Sequence, residues 1–314
     1  AVLLDPFSGS GTTLLEGMLL GLKTVGIDVV AFFNKIARAK TRAITFDRAD
    51  VEEILRALGV CGKGMPSQTL SQVLSPERMK RYEEALRSLE KAPRKELDHL
   101  GIGLQELAWI LPVIRTKLPE DERELVEVLI SQELGAKGKR ATKEGLVERV
   151  RLDLVNLFLE AYSARSMGIL PDKISESLLP RVVCADGVKD VFKLKDMLGD
   201  EPIDAVVTSP PYVNALDYLE MHKMGMAIFE GMYEPDVLNE EIIGYPVQRK
   251  SIEIRGNLLP EQCRAILSNV IEQTSKDSRY TAGLYNYMID LQKHLKDVHA
   301  MMRNGARAAY IVGK

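Results

Sequence analysis

The chain has 314 residues, 46% of them hydrophobic, which is enough for one large folded domain or a domain with a sizeable insertion. A formal net charge of -3 argues against a dedicated basic nucleic-acid-binding module, so any polyanion contact has to be local. Apolar runs stop short of the ~20 residues of a membrane span, no signal-like leader opens the chain, and Cys61, Cys184 and Cys263 suit neither a disulfide framework nor a zinc cluster, so a cytoplasmic protein with no metal and no membrane contact is expected.

Ala1 to Leu4 is a short apolar run that meets a glycine-rich turn and then a helical pattern, Leu14, Leu15, Met18 and Leu19, closed by Gly21. Thr24 to Ile27 predicts a second strand ending at Asp28, followed by a helix through about Thr41. This βαβ opening implies a parallel sheet. From about Phe46 to Leu179 strand signals vanish; Pro76 to Leu89 and Glu120 to Leu134 show charged faces with apolar residues at helical spacing. The expected organisation is a discontinuous α/β domain, 1–46 and 180–314, interrupted by a helical insertion, 47–179. Strands resume at Arg181 to Ala185 and at Ile203 to Val207. A helix over Tyr285 to Met302 places Met288, Leu291, Leu295 and Val298 on one face, and Asn304-Gly305 is expected to close it before a last strand, Ala306 to Val312.

The chemistry is concentrated at the strand ends. In Asp5-Pro6-Phe7-Ser8-Gly9-Ser10-Gly11-Thr12-Thr13, two glycines sit between a strand and a helix, where backbone can approach a ligand and the helix offers free N–H donors. A phosphate-binding loop needs a lysine after the second glycine, and Thr12-Thr13 stand there instead; Leu14 occupies the place of a dinucleotide fingerprint's third glycine. Taken alone, the loop fits a plain tight turn equally well. Asp5 at its mouth would repel a pyrophosphate and attract an ammonium group. Asp28 is placed to accept from ribose hydroxyls, and Asp186, ending the third strand, either accepts from a purine amino group or shapes the turn before Gly187. A ligand with a ribose, a purine and a cation but no phosphates is implied, and S-adenosyl-L-methionine fits that description.

The second constellation, Thr208-Ser209-Pro210-Pro211-Tyr212, ends the fourth strand. Two prolines fix the backbone and remove N–H donors, so the Ser209 hydroxyl and the Pro210 carbonyl can accept from an amino group, while Tyr212 offers a flat face to a base taken out of its stack. A rigid strand-end turn is the plainer alternative.

Together, Asp5 to Thr13 and Thr208 to Tyr212 resemble motifs I and IV of the amino-methylating DNA methyltransferases. The resemblance covers about the first 45 residues and the last 130; the helical insertion matches no element of that pattern. It implies a Rossmann-like methyltransferase sheet, with Phe7 near the cofactor, Asp28 on its ribose and Ser209 to Tyr212 on the target amine. It also implies direct transfer to an exocyclic amino group of a flipped base in double-stranded DNA. Serine in the first position resembles the cytosine-N4 enzymes more than the adenine-N6 enzymes. The pattern places a helix before Asp5 and further strands after Val312 that the sequence does not contain, so the chain reads as a piece of something longer.

Two other readings stand beside this one: an RNA or tRNA guanine-N2 methyltransferase, and a non-catalytic subunit that binds S-adenosylmethionine or DNA. Lys137, Lys139, Arg140, Lys143, Arg149 and Arg151 form the densest basic run, suited to phosphate contact or to a solvated helix face.

Overall fold

The computed structural model describes residues 1–59, 75–77, 79–80, 107, 110–135, 145–191, 193–199, 201–211, 222–230, 259–274 and 278–312. In chain order the main elements are β1 (Val2–Asp5), α1 (Thr12–Leu19), β2 (Lys23–Asp28), α2 (Ala31–Ala43), α3 (Arg48–Gly59), α4 (Glu120–Gly135), α5 (Leu146–Ser166), β3 (Arg181–Cys184), α6 (Lys193–Leu198), β4 (Ile203–Thr208), α7 (Glu261–Thr274), α8 (Ser278–Met301) and β5 (Met302–Tyr310). The chain divides into two units, one of Ala1–Asn34, Ser177–Leu216 and Glu234–Lys314, the other of Lys35–Glu176 and Asp217–Tyr233.

The first unit is built on a five-stranded, all-parallel sheet in the order β3-β2-β1-β4-β5. This is an α/β, Rossmann-like fold, as expected from the alternation of short apolar runs with helical patterns. Every residue of β1 is buried, because a central parallel strand covered on both faces has no solvent side. Leu4, Val25, Ile27 and Val206 join Val191, Leu194, Leu198 and Val298 in one core cluster.

The end of the sheet departs from the sequence reading. Asn304-Gly305 does not close the helix; α8 stops at Met301 and β5 starts at Met302, placing both residues inside the strand. The pairing jumps from Ile203–Met302 to Ala205–Arg307, and Gly305 takes φ 80°, a left-handed conformation only glycine adopts without strain. The turn signal is absorbed as a bulge.

In the second unit, all regular elements among the described residues are helical. α3 buries Val51, Ile54 and Leu58, and α4 buries Leu125, Val126, Val128, Leu129 and Ile130. Ion pairs run along the facing sides of α2 and α4: Lys35–Glu127 at 2.6 Å, Arg38–Glu124 at 2.6 Å and Arg42–Asp121 at 2.8 Å. The numbers rise along one helix as they fall along the other, which is the signature of an antiparallel pair. Near Lys35, a helical turn at Lys223–Gly225 continues as a π-helix, Met226–Glu230, whose Phe229 ring lies 5.9 Å below the ammonium. The expected Glu120 to Leu134 helix is α4; of Pro76 to Leu89, all but a few residues lie outside the described set. No described helix is long and apolar enough to cross a membrane.

Candidate active site at the strand ends

The loops following β1, β2, β3 and β4 all leave the sheet at the carboxyl ends of neighbouring parallel strands. The order reverses between β1 and β4, and such a switch point opens a crevice for ligand.

The loop after β1 is held by its own hydrogen bonds. Ser8 donates from both its N–H, at 2.8 Å, and its hydroxyl, at 3.2 Å, to the Ile27 carbonyl, and the Gly11 N–H donates to the Ser8 carbonyl at 2.8 Å. Gly9 and Gly11 adopt φ 48° and 77°, so the loop needs glycine at both places. A Cβ on Gly9 would meet nothing within 4 Å, leaving open space above the loop. Gly11 also precedes α1 with no side-chain cap hydrogen bond of its own, and no acid occupies the first turn. A Cβ on Gly26 of β2 would come within 2.5 Å of Leu14, which sets how closely α1 lies on the sheet.

Asp5 is 3% exposed and staples the ends of β1 and β4. Its Oδ1 accepts from the Thr208 hydroxyl at 2.6 Å and from the Phe7 N–H at 3.2 Å, and Thr13 adds a side-chain hydrogen bond. Burial pushes its carboxyl above the ordinary range against these donors. The sequence predicts an ammonium partner for Asp5; in the structure protein groups already hold Oδ1.

Asp28 ends β2 and turns each oxygen toward a different loop. Oδ2 accepts from the Gly9 N–H at 2.9 Å and Oδ1 from the Val30 N–H at 2.9 Å. Its carboxyl is pushed up to about 6, first by burial, opposed by the two backbone N–H groups, with the charge of Asp5 adding to the rise. A carboxylate has about four acceptor sites, so two bonds leave capacity for two further donors.

Asp186 is buried, and the turn it heads uses it. Oδ1 accepts from the N–H groups of Val188 at 2.7 Å and Lys189 at 3.1 Å, while Oδ2 lies 3.2 Å from the Lys189 ammonium. Of its two sequence readings, the turn-shaping one is visible in these bonds. Gly187 behind it carries only a turn signal in the sequence, yet a Cβ there would stand 2.9 Å from the Phe7 ring and overlap the Pro6 carbonyl oxygen. The loops after β1 and β3 therefore touch through this glycine. Dipeptides such as Asp186-Gly187 announce a turn, not a close approach from a loop some 180 residues earlier.

At the end of β4, Thr208 is 1% exposed, Ser209 is exposed, Pro210 is buried and Pro211 is half-buried. Tyr212 lies outside the described residues, as do Asn214, Asp217 and Tyr218, which the sequence places after it. Because the Thr208 hydroxyl bonds Asp5, Ser209 and Pro210 begin at the strand end next to the Pro6-Phe7 turn.

Of the predicted basic run, Arg149 is internal and Arg151 is half-exposed. Arg149 is 5% exposed and pairs with Glu133 at 2.5 Å, and Arg151 pairs with Glu148 at 3.0 Å; Lys137, Lys139, Arg140 and Lys143 lie outside the described residues. Arg149 is thus neither a phosphate ligand nor a solvated face: a buried guanidinium needs its carboxylate. A separate apolar groove of about 650 Å³, bounded by Leu259, Cys263, Met288, Leu291, Met302 and Tyr310 among others, contains none of the predicted site residues.

No protein-family model and no solved structure matches the chain. Over 278 residues, 79% of its length, it is 23% identical to a curated relative, the Type II methyltransferase M.BsoBI of Geobacillus stearothermophilus. The chain spans about half, 51%, of that relative's length, so what the two share is similarity to a methyltransferase across most of this chain.

Proposed function

We propose that this chain carries the S-adenosylmethionine-binding and catalytic loops of a DNA methyltransferase that methylates an exocyclic amino group, with cytosine N4 favoured over adenine N6. The observation that carries the reading is the Asp5–Thr208 hydrogen bond, which joins strand ends 203 residues apart and sets the glycine loop beside Ser209-Pro210-Pro211. The similarity to a Type II methyltransferase independently supports its coarser part, a methyltransferase.

The residues present suit the cofactor. Open space over Gly9 and a half-buried Asp28 with acceptor capacity left fit a ribose-bearing ligand. Phe7 and the backbone of Pro6, Ser8 and Gly9 would line it, Asp28 would accept from its ribose hydroxyls, the Asp186-Gly187 turn would bound its purine, and Thr12 and Thr13 would offer N–H donors. When bound, S-adenosylmethionine supplies an electrophilic methyl group.

The chain's own task is then to orient a nucleophile. Ser209 Oγ and the Pro210 carbonyl accept the two N–H bonds of the target amine, which turns its lone pair toward the methyl and raises its electron density. Proline at 210 and 211 removes N–H donors that would compete for that lone pair. Tyr212 stacks on the extruded base. No cysteine nucleophile enters, since the amine attacks directly. The helical unit, lying in sequence between the two loops, reads the DNA. Serine at 209 is what favours cytosine.

Replacing Ser209 with Ala tests this directly. Turnover is expected to fall by about 100-fold or more, the scale of losing one positioned hydrogen-bonding group in an active site, while S-adenosylmethionine affinity stays within about threefold. Undiminished turnover in that variant refutes the catalytic assignment.

A further inference from the structure

Behind the Phe7 ring, α8 grips the loop after β3 with two consecutive residues. Lys293 donates to the Val188 carbonyl at 2.8 Å, and His294 Nδ1 lies 2.7 Å from the Gly187 carbonyl. His294 is 0% exposed, and its Nε2 lies 2.9 Å from the Tyr310 hydroxyl at the end of β5. Its ring is 4.9 Å from that of Phe7, centre to centre, and stands edge-on to Tyr310 at 5.7 Å.

These partners dictate the tautomer. A carbonyl oxygen only accepts, so Nδ1 carries the proton; in the neutral ring Nε2 is then bare and accepts from Tyr310. Burial lowers the basicity of His294, opposed by the Gly187 bond and by Asp297 and Asp186, and added to by Lys293. Burial also pushes the Tyr310 hydroxyl up to about 12, which keeps it a donor. The opposite tautomer would aim a lone pair at a buried carbonyl. Tyr310 in turn pairs in register with Thr208, the residue that holds Asp5.

Gly187 is pressed against Pro6 and Phe7 with no room for a Cβ, so whatever fixes its carbonyl fixes how the loop after β3 seats on the loop after β1. We propose that His294, locked as the Nδ1–H tautomer between Gly187 and Tyr310, is a positioning residue that seats the Asp186-Gly187 turn, the wall that bounds the purine, against Pro6 and Phe7. This rests on the S-adenosylmethionine reading above. His294 touches neither donor nor acceptor of the methyl group; it acts through Gly187 and Phe7.

The test measures S-adenosylmethionine affinity by calorimetry for the unaltered protein, His294→Leu and His294→Asn, with ¹⁵N NMR of the imidazole in the unaltered protein. Leucine keeps the bulk and removes both hydrogen bonds; asparagine places an amide N–H near the Nδ1 position. Affinity is expected to fall about tenfold in His294→Leu, the scale of one buried hydrogen bond, and to return to within about threefold in His294→Asn. The ¹⁵N shifts should report a neutral ring protonated at Nδ1. A ring protonated only at Nε2, or equal affinity in all three proteins, overturns the assignment while leaving the methyltransferase reading standing. An unaltered protein that binds no S-adenosylmethionine overturns both, the methyltransferase reading first. Should His294→Leu fail to fold, the tautomer and the His294→Asn affinity still decide.

Discussion

The two units use charge in opposite ways. In the sheet unit the carboxylates at the strand ends are short: Asp5, Asp28 and Asp186 accept from backbone N–H groups and a hydroxyl. In the helical unit they are long: Glu124 and Glu127 reach across between helices to Arg38 and Lys35. Backbone N–H donors fix a carboxylate's position and leave some of its acceptor sites over, whereas an ion pair uses the charge to hold two helices together. On the proposed function, ligand chemistry belongs to the first unit and helix-to-helix stability to the second, and substitutions in the two should read out differently.

The largest effect on stability is expected at Lys35→Met, which leaves Glu127 buried without its partner. Breaking a buried pair costs about 3 kcal/mol, visible as a lower midpoint in denaturant, with S-adenosylmethionine affinity measured below the transition unchanged. A loss of affinity at full folding would break the separation of roles.

Gly187→Ala comes next and should do the reverse. Forcing a methyl against the Pro6 backbone costs about 2 kcal/mol, or roughly a 30-fold loss of cofactor affinity, with a smaller change in the melting midpoint. Normal affinity in this variant would show that the two loops do not share a wall.

Removing the staple in Thr208→Val strips a donor from a buried carboxylate at a cost of about 1–2 kcal/mol. Here turnover should fall more than affinity, because the displaced element is the one that carries Ser209. Parallel falls in both would point to general loosening.

Asp28 gives a pH signature. Because its folded carboxyl sits near 6 and its ordinary value is 3.8, the native state holds a proton between about 4 and 6 that the unfolded chain has released. Stability from this group is therefore greatest below that window and declines as pH rises through it. Ribose hydroxyls prefer the ionised form, so cofactor affinity should climb as pH rises to about 6 and then level off. Asp28→Asn should flatten that profile; a profile unchanged by the substitution would remove Asp28 from the ribose site.

The smallest effect is expected at the exposed Arg48–Glu52 pair on α3, where Glu52→Gln should change stability by only about 0.3 kcal/mol. A change near that of Lys35→Met would erase the contrast between buried and surface pairs.

Which features were legible in the sequence follows from their range. Four of the five strands, together with α1, α2, α4 and the body of α8, announce themselves through apolar spacing, and Gly9 and Gly11 through a left-handed backbone that other residues resist. Both are local properties. The start of β5 is not legible because Asn304-Gly305 signals a turn equally well at a helix end and in a bulge, and only pairing with β4 decides. Gly187 is silent in the sequence for a similar reason, since its constraint comes from Pro6 and Phe7. His294 did leave a trace: it lies three residues after Leu291 and four before Val298, on the apolar face of α8, where a polar ring needs partners. The partners themselves, Gly187 and Tyr310, could not be read from spacing.

The central claim is that the glycine loop and the Ser209-Pro210-Pro211 turn serve one reaction. Incubating the protein with DNA and methyl-labelled S-adenosylmethionine, then resolving the nucleosides by mass spectrometry, tests it most directly. The account predicts label on an exocyclic amine, N4-methylcytosine ahead of N6-methyladenine. Label at cytosine C5, or on guanine N2 of tRNA with none on DNA, would contradict it.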